Sequence, residues 1–176
     1  AVILVAFVSA NAAAGAENLV DNGGFEQGKQ DKFAESYENS WIYFRIFNSP
    51  QCGPTEKVAA EGDRSYRFSL GKKSRAFLHS RSFAVEPGAK YVLRGRVKTK
   101  NAAPNSVFLR VFWFRDRVGI PAGKKKEMYS QTKKIGGTTD WRKLQKTIRA
   151  PDNATRAYVR VESNGGNLEK GGEKLC

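Results

Sequence analysis

The chain has 176 residues, 40% of them apolar, and 31 Lys and Arg against 17 Asp and Glu leave a formal charge of +14. A chain of this size buries a core without a disulfide framework. Its two cysteines, Cys52 and Cys176, exclude a disulfide-dense mini-protein and lack the His/Cys companions of a structural zinc site.

Residues 1–16 begin with the apolar run Ala1-Val-Ile-Leu-Val-Ala-Phe-Val8 and continue with small residues in the A-x-A spacing that a signal peptidase reads. The expectation is a secretory signal remnant over residues 1–16. The competing reading, a buried first strand or helix, is disfavoured by the weak strand propensity of the Ala-rich second half and the abrupt start of polar, turn-rich sequence at Glu17. No later stretch approaches the roughly 20 apolar residues of a membrane-spanning helix, so residues 17–176 are expected to be one soluble, exported domain with no membrane partner.

After Ala16 short apolar runs alternate with turn signals, and no helical period is sustained. Trp41-Ile-Tyr-Phe-Arg45 places Trp41, Tyr43 and Arg45 on one side of a strand. Tyr66, Phe68 and Leu70 alternate with Arg67 and Ser69. Tyr91-Val-Leu-Arg-Gly-Arg-Val-Lys-Thr99 predicts an inward face of Tyr91, Leu93, Gly95, Val97 and Thr99 and a basic outward face of Arg94, Arg96 and Lys98. Val107-Phe-Leu-Arg-Val-Phe-Trp-Phe-Arg115 carries large apolar groups on both faces, so one packs in the core and the other has another task. Ala157-Tyr-Val-Arg-Val-Glu162 sets Ala157, Val159 and Val161 inward and Tyr158, Arg160 and Glu162 outward. Turns are expected at Asn22-Gly23-Gly24, Glu86-Pro87-Gly88, Ile135-Gly136-Gly137 and Ala150-Pro151-Asp152. The pattern predicts an all-β fold, a β-sandwich jelly roll of two antiparallel sheets, with Leu93, Val97, Leu109, Val111, Val159 and Val161 in one core.

The charge is not spread evenly. Residues 1–89 carry 10 basic and 10 acidic side chains, residues 90–149 carry 17 and 3, and residues 150–176 carry 4 and 4. A positive field confined to a few strands predicts an anionic partner, the plainer reading being a solvated basic face.

The motifs fall in a recognisable order: Asn18-Leu-Val-Asp-Asn-Gly-Gly-Phe-Glu26, Glu61-Gly62-Asp-Arg-Ser-Tyr66, Phe83-Ala-Val-Glu-Pro-Gly88, the strands from Tyr91 and Val107, Thr138-Thr-Asp-Trp141, and Ala150-Pro151. This series resembles the carbohydrate-binding modules of the CenC-like type, families 4, 9 and 22. The resemblance implies a jelly roll that binds polysaccharide without catalysis, appended to a glycan-active enzyme. It also implies a closing strand that this sequence lacks, ending as it does at Gly171-Gly-Glu-Lys-Leu-Cys176, and hence truncation at the C-terminus.

Sugar binding needs flat apolar surfaces for pyranose rings and polar planar groups for hydroxyls. The outward candidates are Phe112, Phe114 and Tyr158, interleaved with Arg94, Arg96, Arg110 and Arg160; a guanidinium also holds a carboxylate or sulfate in a bidentate fork. Arg94, Arg96 and Lys98 are expected to share a face with Arg110 if the two segments pair, with Lys124, Lys125 and Lys126 in a nearby loop. Trp41 and Tyr43 are contacts implied by the resemblance, as is a structural calcium at Glu26, completed by backbone oxygens near Gly62 and an Asp of the missing strand. Trp113 is expected in the core and Trp141 at a structural position. The expected ligand is a polysaccharide, acidic or sulfated by the charge arithmetic. The alternatives are a jelly-roll polysaccharide lyase using Tyr, His and Arg on a uronate, for which His79 is the only histidine, and nucleic acid, which export disfavours.

Overall fold

The computed structural model describes residues 2–11, 18–26, 41–46, 51–71, 74–116, 120–122 and 127–164, with the backbone alone for residues 2–11, 42–46, 51–52 and 164. Ten strands follow one another: β1 (Val2–Asn11), β2 (Trp41–Ile46), β3 (Gln51–Thr55), β4 (Ser65–Ser69), β5 (Arg75–Ser80), β6 (Phe83–Ala84), β7 (Lys90–Phe114), β8 (Tyr129–Gln131), β9 (Ile135–Arg149) and β10 (Arg156–Asn164). Every pairing is antiparallel, and the described residues contain no helix.

The long strand β7 serves both layers of the sandwich. Residues 90–100 pair with β9 on one side and β1 on the other; β1 continues to β4, and β4 to β3. Residues 107–114 pair with β10 and β8, while β10 continues to β5 and β6, and β5 to β2. Between these arms the register against β9 shifts repeatedly. Asn101 and Asn105 take left-handed φ angles of 55° and 53° there, a conformation Asn tolerates better than most residues.

Period-2 alternation in both arms sends the odd-numbered side chains inward. Tyr91, Leu93 and Val97 meet Val107, Leu109, Val111 and Trp113 in a single cluster that also takes Tyr66 and Phe68 from β4, Leu78 from β5, Leu144 and Ile148 from β9, and Ala157, Val159 and Val161 from β10. All six side chains expected in the core lie in it. The even-numbered side chains of the two arms therefore point out of the sandwich on opposite sides, which separates Arg94, Arg96 and Lys98 from Arg110.

Three of the four expected turns form, at residues 21–24, 87–88 and 152–153. The fourth does not. Gly136 and Gly137 lie inside β9, where Gly137 has φ 76° at a register shift opposite Ala102, and a Cβ on Gly136 would overlap Ala103 O. The glycines let the strand bend against its neighbour rather than reverse direction.

Residues 2–11, within the segment read as a signal remnant, form β1 between β7 and β4, with Val5 opposite both Val97 and Tyr66. Residues 1, 12–17 and 165–176, with Cys176, lie outside the described residues, as do Lys124, Lys125 and Lys126. Trp113, 2% exposed, is at the centre of the core. Trp113→Ala is expected to lower the unfolding free energy by about 3–5 kcal/mol in urea denaturation; a loss below about 1 kcal/mol would contradict this packing.

Candidate functional site

The outer face of the layer made by β5, β10, the 107–114 arm and β8 is a lattice set by strand register. Opposite β7 Phe108, Arg110, Phe112 and Phe114 stand β10 Glu162, Arg160, Tyr158 and Arg156 in turn. On the far side of β10, His79 pairs with Arg160 and Phe77 with Glu162. On the other side of β7, Gln131 pairs with Arg110 and Tyr129 with Phe112. Direct opposition of Arg110 and Arg160 is a repulsive cross-strand pair. The carboxylate two residues along β10 offsets it.

Glu162 is 1% exposed, whereas Arg75, Arg110 and Arg160 are 23%, 16% and 17% exposed at their side chains. Glu162 Oε2 accepts a hydrogen bond from Arg75 Nη2 at 3.2 Å. Oε1 lies 2.9 Å from Arg110 Nη1 and 3.8 Å from Arg160 Nη1, ion pairs without an aligned N–H. Arg110 donates from Nε and Nη2 to Gln131 Oε1 at 3.3 and 2.9 Å, and Arg160 Nη2 donates to Tyr158 Oη at 2.9 Å.

Aromatic rings flank the guanidiniums. Arg160 Cζ lies 4.1 Å from the Phe77 ring centroid and 4.4 Å from that of Phe112. Arg110 Cζ lies 4.4 Å from Tyr129 and 4.9 Å from Phe108, and Lys134 Nζ lies 4.9 Å from Phe108. Each such contact contributes roughly 0.5–2 kcal/mol, more where water is excluded. Tyr158 stacks at a tilt on Phe112, Phe114 and His79, with centroids 5.1, 5.2 and 4.9 Å apart.

Burial shapes the titration of this face. It lowers the Arg160 and His79 pKa values, and for His79 the nearby Arg160 acts in the same direction while the Ser80 carbonyl opposes it. Burial raises the Tyr158 phenol and outweighs the opposing pull of Arg160.

Five of the sequence candidates thus come together: Arg110, Phe112, Phe114, Tyr158 and Arg160. Phe114 and Tyr158 are largely covered, at 7% and 9% exposure, so Phe112 and Tyr129 carry the accessible ring surface. Arg94 and Arg96 do not join them; they lie on the outer face of the other layer. There Arg96 Nε meets Glu61 Oε1 at 2.6 Å and Lys98 Nζ meets Asp140 Oδ1 at 2.8 Å, a hydrogen bond that holds the Asp140 carboxyl below its usual range. Much of the remaining charge guards an edge: Arg142 and Lys146 on β9, paired with Val97 and Leu93, are exposed charges on the core-facing side of the strand.

Trp41 lies apart from this face as well. Its side chain packs against the core cluster, 5.1 Å from Phe25 between ring centroids, and its Nε1–H donates to Asn22 O at 2.9 Å. Tyr43 pairs with Leu78, and its side chain lies outside the described residues, as does that of Cys52. Trp141 is half-buried.

At Glu26 the carboxylate buttresses a turn. Oε1 accepts backbone N–H groups of Asp63 and Arg64 at 3.1 and 3.2 Å, while Arg64 Nη1 donates to Glu26 O at 3.4 Å. Calcium takes six to eight oxygens. Among the described residues no group of three or more His, Cys, Asp or Glu side chains is placed to hold a metal.

The sequence reading missed Arg75, Phe77, Phe108, Tyr129, Gln131 and Lys134, and gave Glu162 and His79 no role in binding. The available signal was the alternation Arg75-Ala-Phe77-Leu-His79, which repeats the charged-aromatic pattern of β10.

No family model matches the chain, and no curated protein matches it. Among solved structures it is similar to the enzymatically active domain of tailspike protein 4 of bacteriophage CBA120, with a TM-score of 0.54 and 11% identity over 72% of this chain and 17% of that one. The chain therefore spans about a sixth of that structure's length, and the likeness concerns the fold. A looser likeness, TM-score 0.45 and 18% identity over 66% of this chain and 77% of the other, is to a Family 16 Carbohydrate Binding Module-2. The all-β fold stands on the strands themselves.

Two outcomes follow from the buried cluster. Glu162→Ala leaves three half-buried guanidiniums without their carboxylate and is expected to lower the unfolding free energy by about 3 kcal/mol in urea denaturation; a loss under about 0.5 kcal/mol would show the cluster to be solvated. Because the folded His79 pKa lies below its ordinary 6.5, the unfolded chain binds the proton more readily. Stability is therefore lost as pH falls below about 6.5, and His79→Gln should flatten that part of a Tm-against-pH profile.

Proposed function

We propose that the protein is a non-catalytic carbohydrate-binding domain that lays a polysaccharide chain along the face of Phe112, Tyr129, Arg110 and Arg160. One observation carries this reading: aromatic rings and guanidinium planes interleave on one outer sheet face while remaining partly open to solvent. Rings stack on the C–H faces of pyranoses, and the guanidinium edges and Gln131 offer hydrogen bonds to hydroxyls. The CenC-like resemblance supports the same reading and adds the role of targeting an appended glycan-active enzyme.

Export belongs to the proposal. Cleavage near Glu17 would remove β1, so N-terminal sequencing of the secreted chain decides between leader and strand: a start near Glu17 supports export by a cleaved leader, and a start at Ala1 contradicts it.

A polysaccharide lyase is the second reading, favoured by the meeting of His79, Tyr158 and Arg160. Such an enzyme abstracts a proton beside a uronate carboxylate. Burial raises the Tyr158 phenol against the opposing pull of Arg160, which on balance disfavours the phenolate that a tyrosine base requires.

Affinity electrophoresis through gels containing polysaccharides tests binding, with retardation by at least one polymer as the expected result. Tyr129→Ala should weaken it about tenfold while costing no more stability than the roughly 0.5–2 kcal/mol of its contact with Arg110. No retardation by any glycan overturns the proposal. A steady rise in unsaturated-product absorbance on a uronate polymer would establish the lyase instead.

A further inference from the structure

The geometry points to an anion subsite within this face, formed by Arg75, Arg110 and Arg160, which takes a carboxylate or sulfate group carried by the glycan. The inference rests on the carbohydrate-binding reading above and narrows it to acidic polymers.

Three guanidiniums surround one carboxylate, so the cluster keeps an excess of two positive charges in a partly desolvated setting, and Lys134 above Phe108 adds a third. Partly buried charges are stable when paired, and Glu162 is the only acid that Arg75, Arg110 and Arg160 ion-pair with among the described residues. Glu162 is sealed at 1%, whereas the three arginine side chains are 16–23% exposed, so an approaching ligand meets the positive members of the cluster and not its carboxylate.

Each guanidinium has five N–H donors in a rigid fork. Against them stand the Glu162 oxygens, Gln131 Oε1 and Tyr158 Oη, which accept hydrogen bonds from only one terminal nitrogen of each arginine, Nη2 in every case. An oxyanion supplies acceptors and charge together, which a neutral hydroxyl does not. The rings that clamp Arg110 and Arg160 hold their forks in one orientation, so little side-chain freedom is lost on binding.

The basic face of Arg94, Arg96 and Lys98 carries the competing explanation of any polyanion affinity. Glu61 and Asp140 already sit on Arg96 and Lys98, at exposed positions where salt screens the remaining field. The two faces can be separated by substitution.

The experiment measures affinity electrophoresis at low and high salt in a polyuronate, in the same polymer with its carboxyl groups reduced to alcohols, and in a sulfated and a neutral galactan. Wild type is expected to bind the polyuronate or the sulfated galactan at least about tenfold more tightly than its uncharged counterpart at low salt, losing the preference as salt rises. Whichever charged polymer keeps the preference identifies the oxyanion as carboxylate or sulfate. Arg110→Gln should abolish the preference, and Arg96→Gln should leave it intact. Equal binding of charged and uncharged polymers overturns the anion subsite and leaves carbohydrate binding standing. A preference lost in Arg96→Gln but kept in Arg110→Gln overturns the assignment to this face. No binding to either charged polymer overturns the anion subsite, retardation by any other glycan leaving carbohydrate binding standing, and circular dichroism of each variant verifies that the fold is kept.

Discussion

The alternation of β7 governs the rest of the molecule. This one strand passes through both layers and keeps its odd-numbered side chains in the shared core on either side of the bend at residues 101–106. Burying Leu93, Val97, Leu109, Val111 and Trp113 together contributes roughly 1.5–3 kcal/mol per large side chain. A one-residue slip in either arm would expose that set. Once the inward set is fixed, the outward set has no freedom, and Arg94 and Arg96 leave on one side of the sandwich while Arg110 and Phe112 leave on the other.

On the second side, register does more than expose residues. It places two arginines directly opposite each other, a repulsive arrangement, and surrounds them with Phe77, Phe108, Phe112 and Tyr129. Ring faces and one sealed carboxylate hold cations that would otherwise be driven apart and into water. The result is a flat surface both aromatic and cationic. A surface built for stability alone needs no excess of guanidinium over carboxylate.

Much of this was legible in the sequence. The strand class, the six-residue core, the inward Trp113 and the outward set Arg110, Phe112, Phe114, Tyr158 and Arg160 all follow from period 2, a local property. What failed was non-local. The parity of Arg94 and Arg110 is the same, but parity does not say that the two arms belong to different layers. Arg75, Phe77 and His79 reach the site through pairing with β10, about eighty residues further along, and nothing in the local pattern sets that register. Trp41 was carried to the cleft by resemblance, yet its strand offset puts it on Phe25 and Asn22. The Gly136-Gly137 pair reads as a turn by composition, and only the closeness of Ala103 shows it to be a bend within a strand.

The central claim is that the working face belongs to β10 and the 107–114 arm, not to the more conspicuous basic strand before it. Amide chemical-shift mapping by NMR during titration with an acidic oligosaccharide tests this most directly. The account predicts shifts concentrated at Phe108 to Phe114, Tyr129 to Gln131, Phe77 to His79 and Tyr158 to Glu162. Shifts concentrated at Arg94 to Lys98 and along β9 would contradict it.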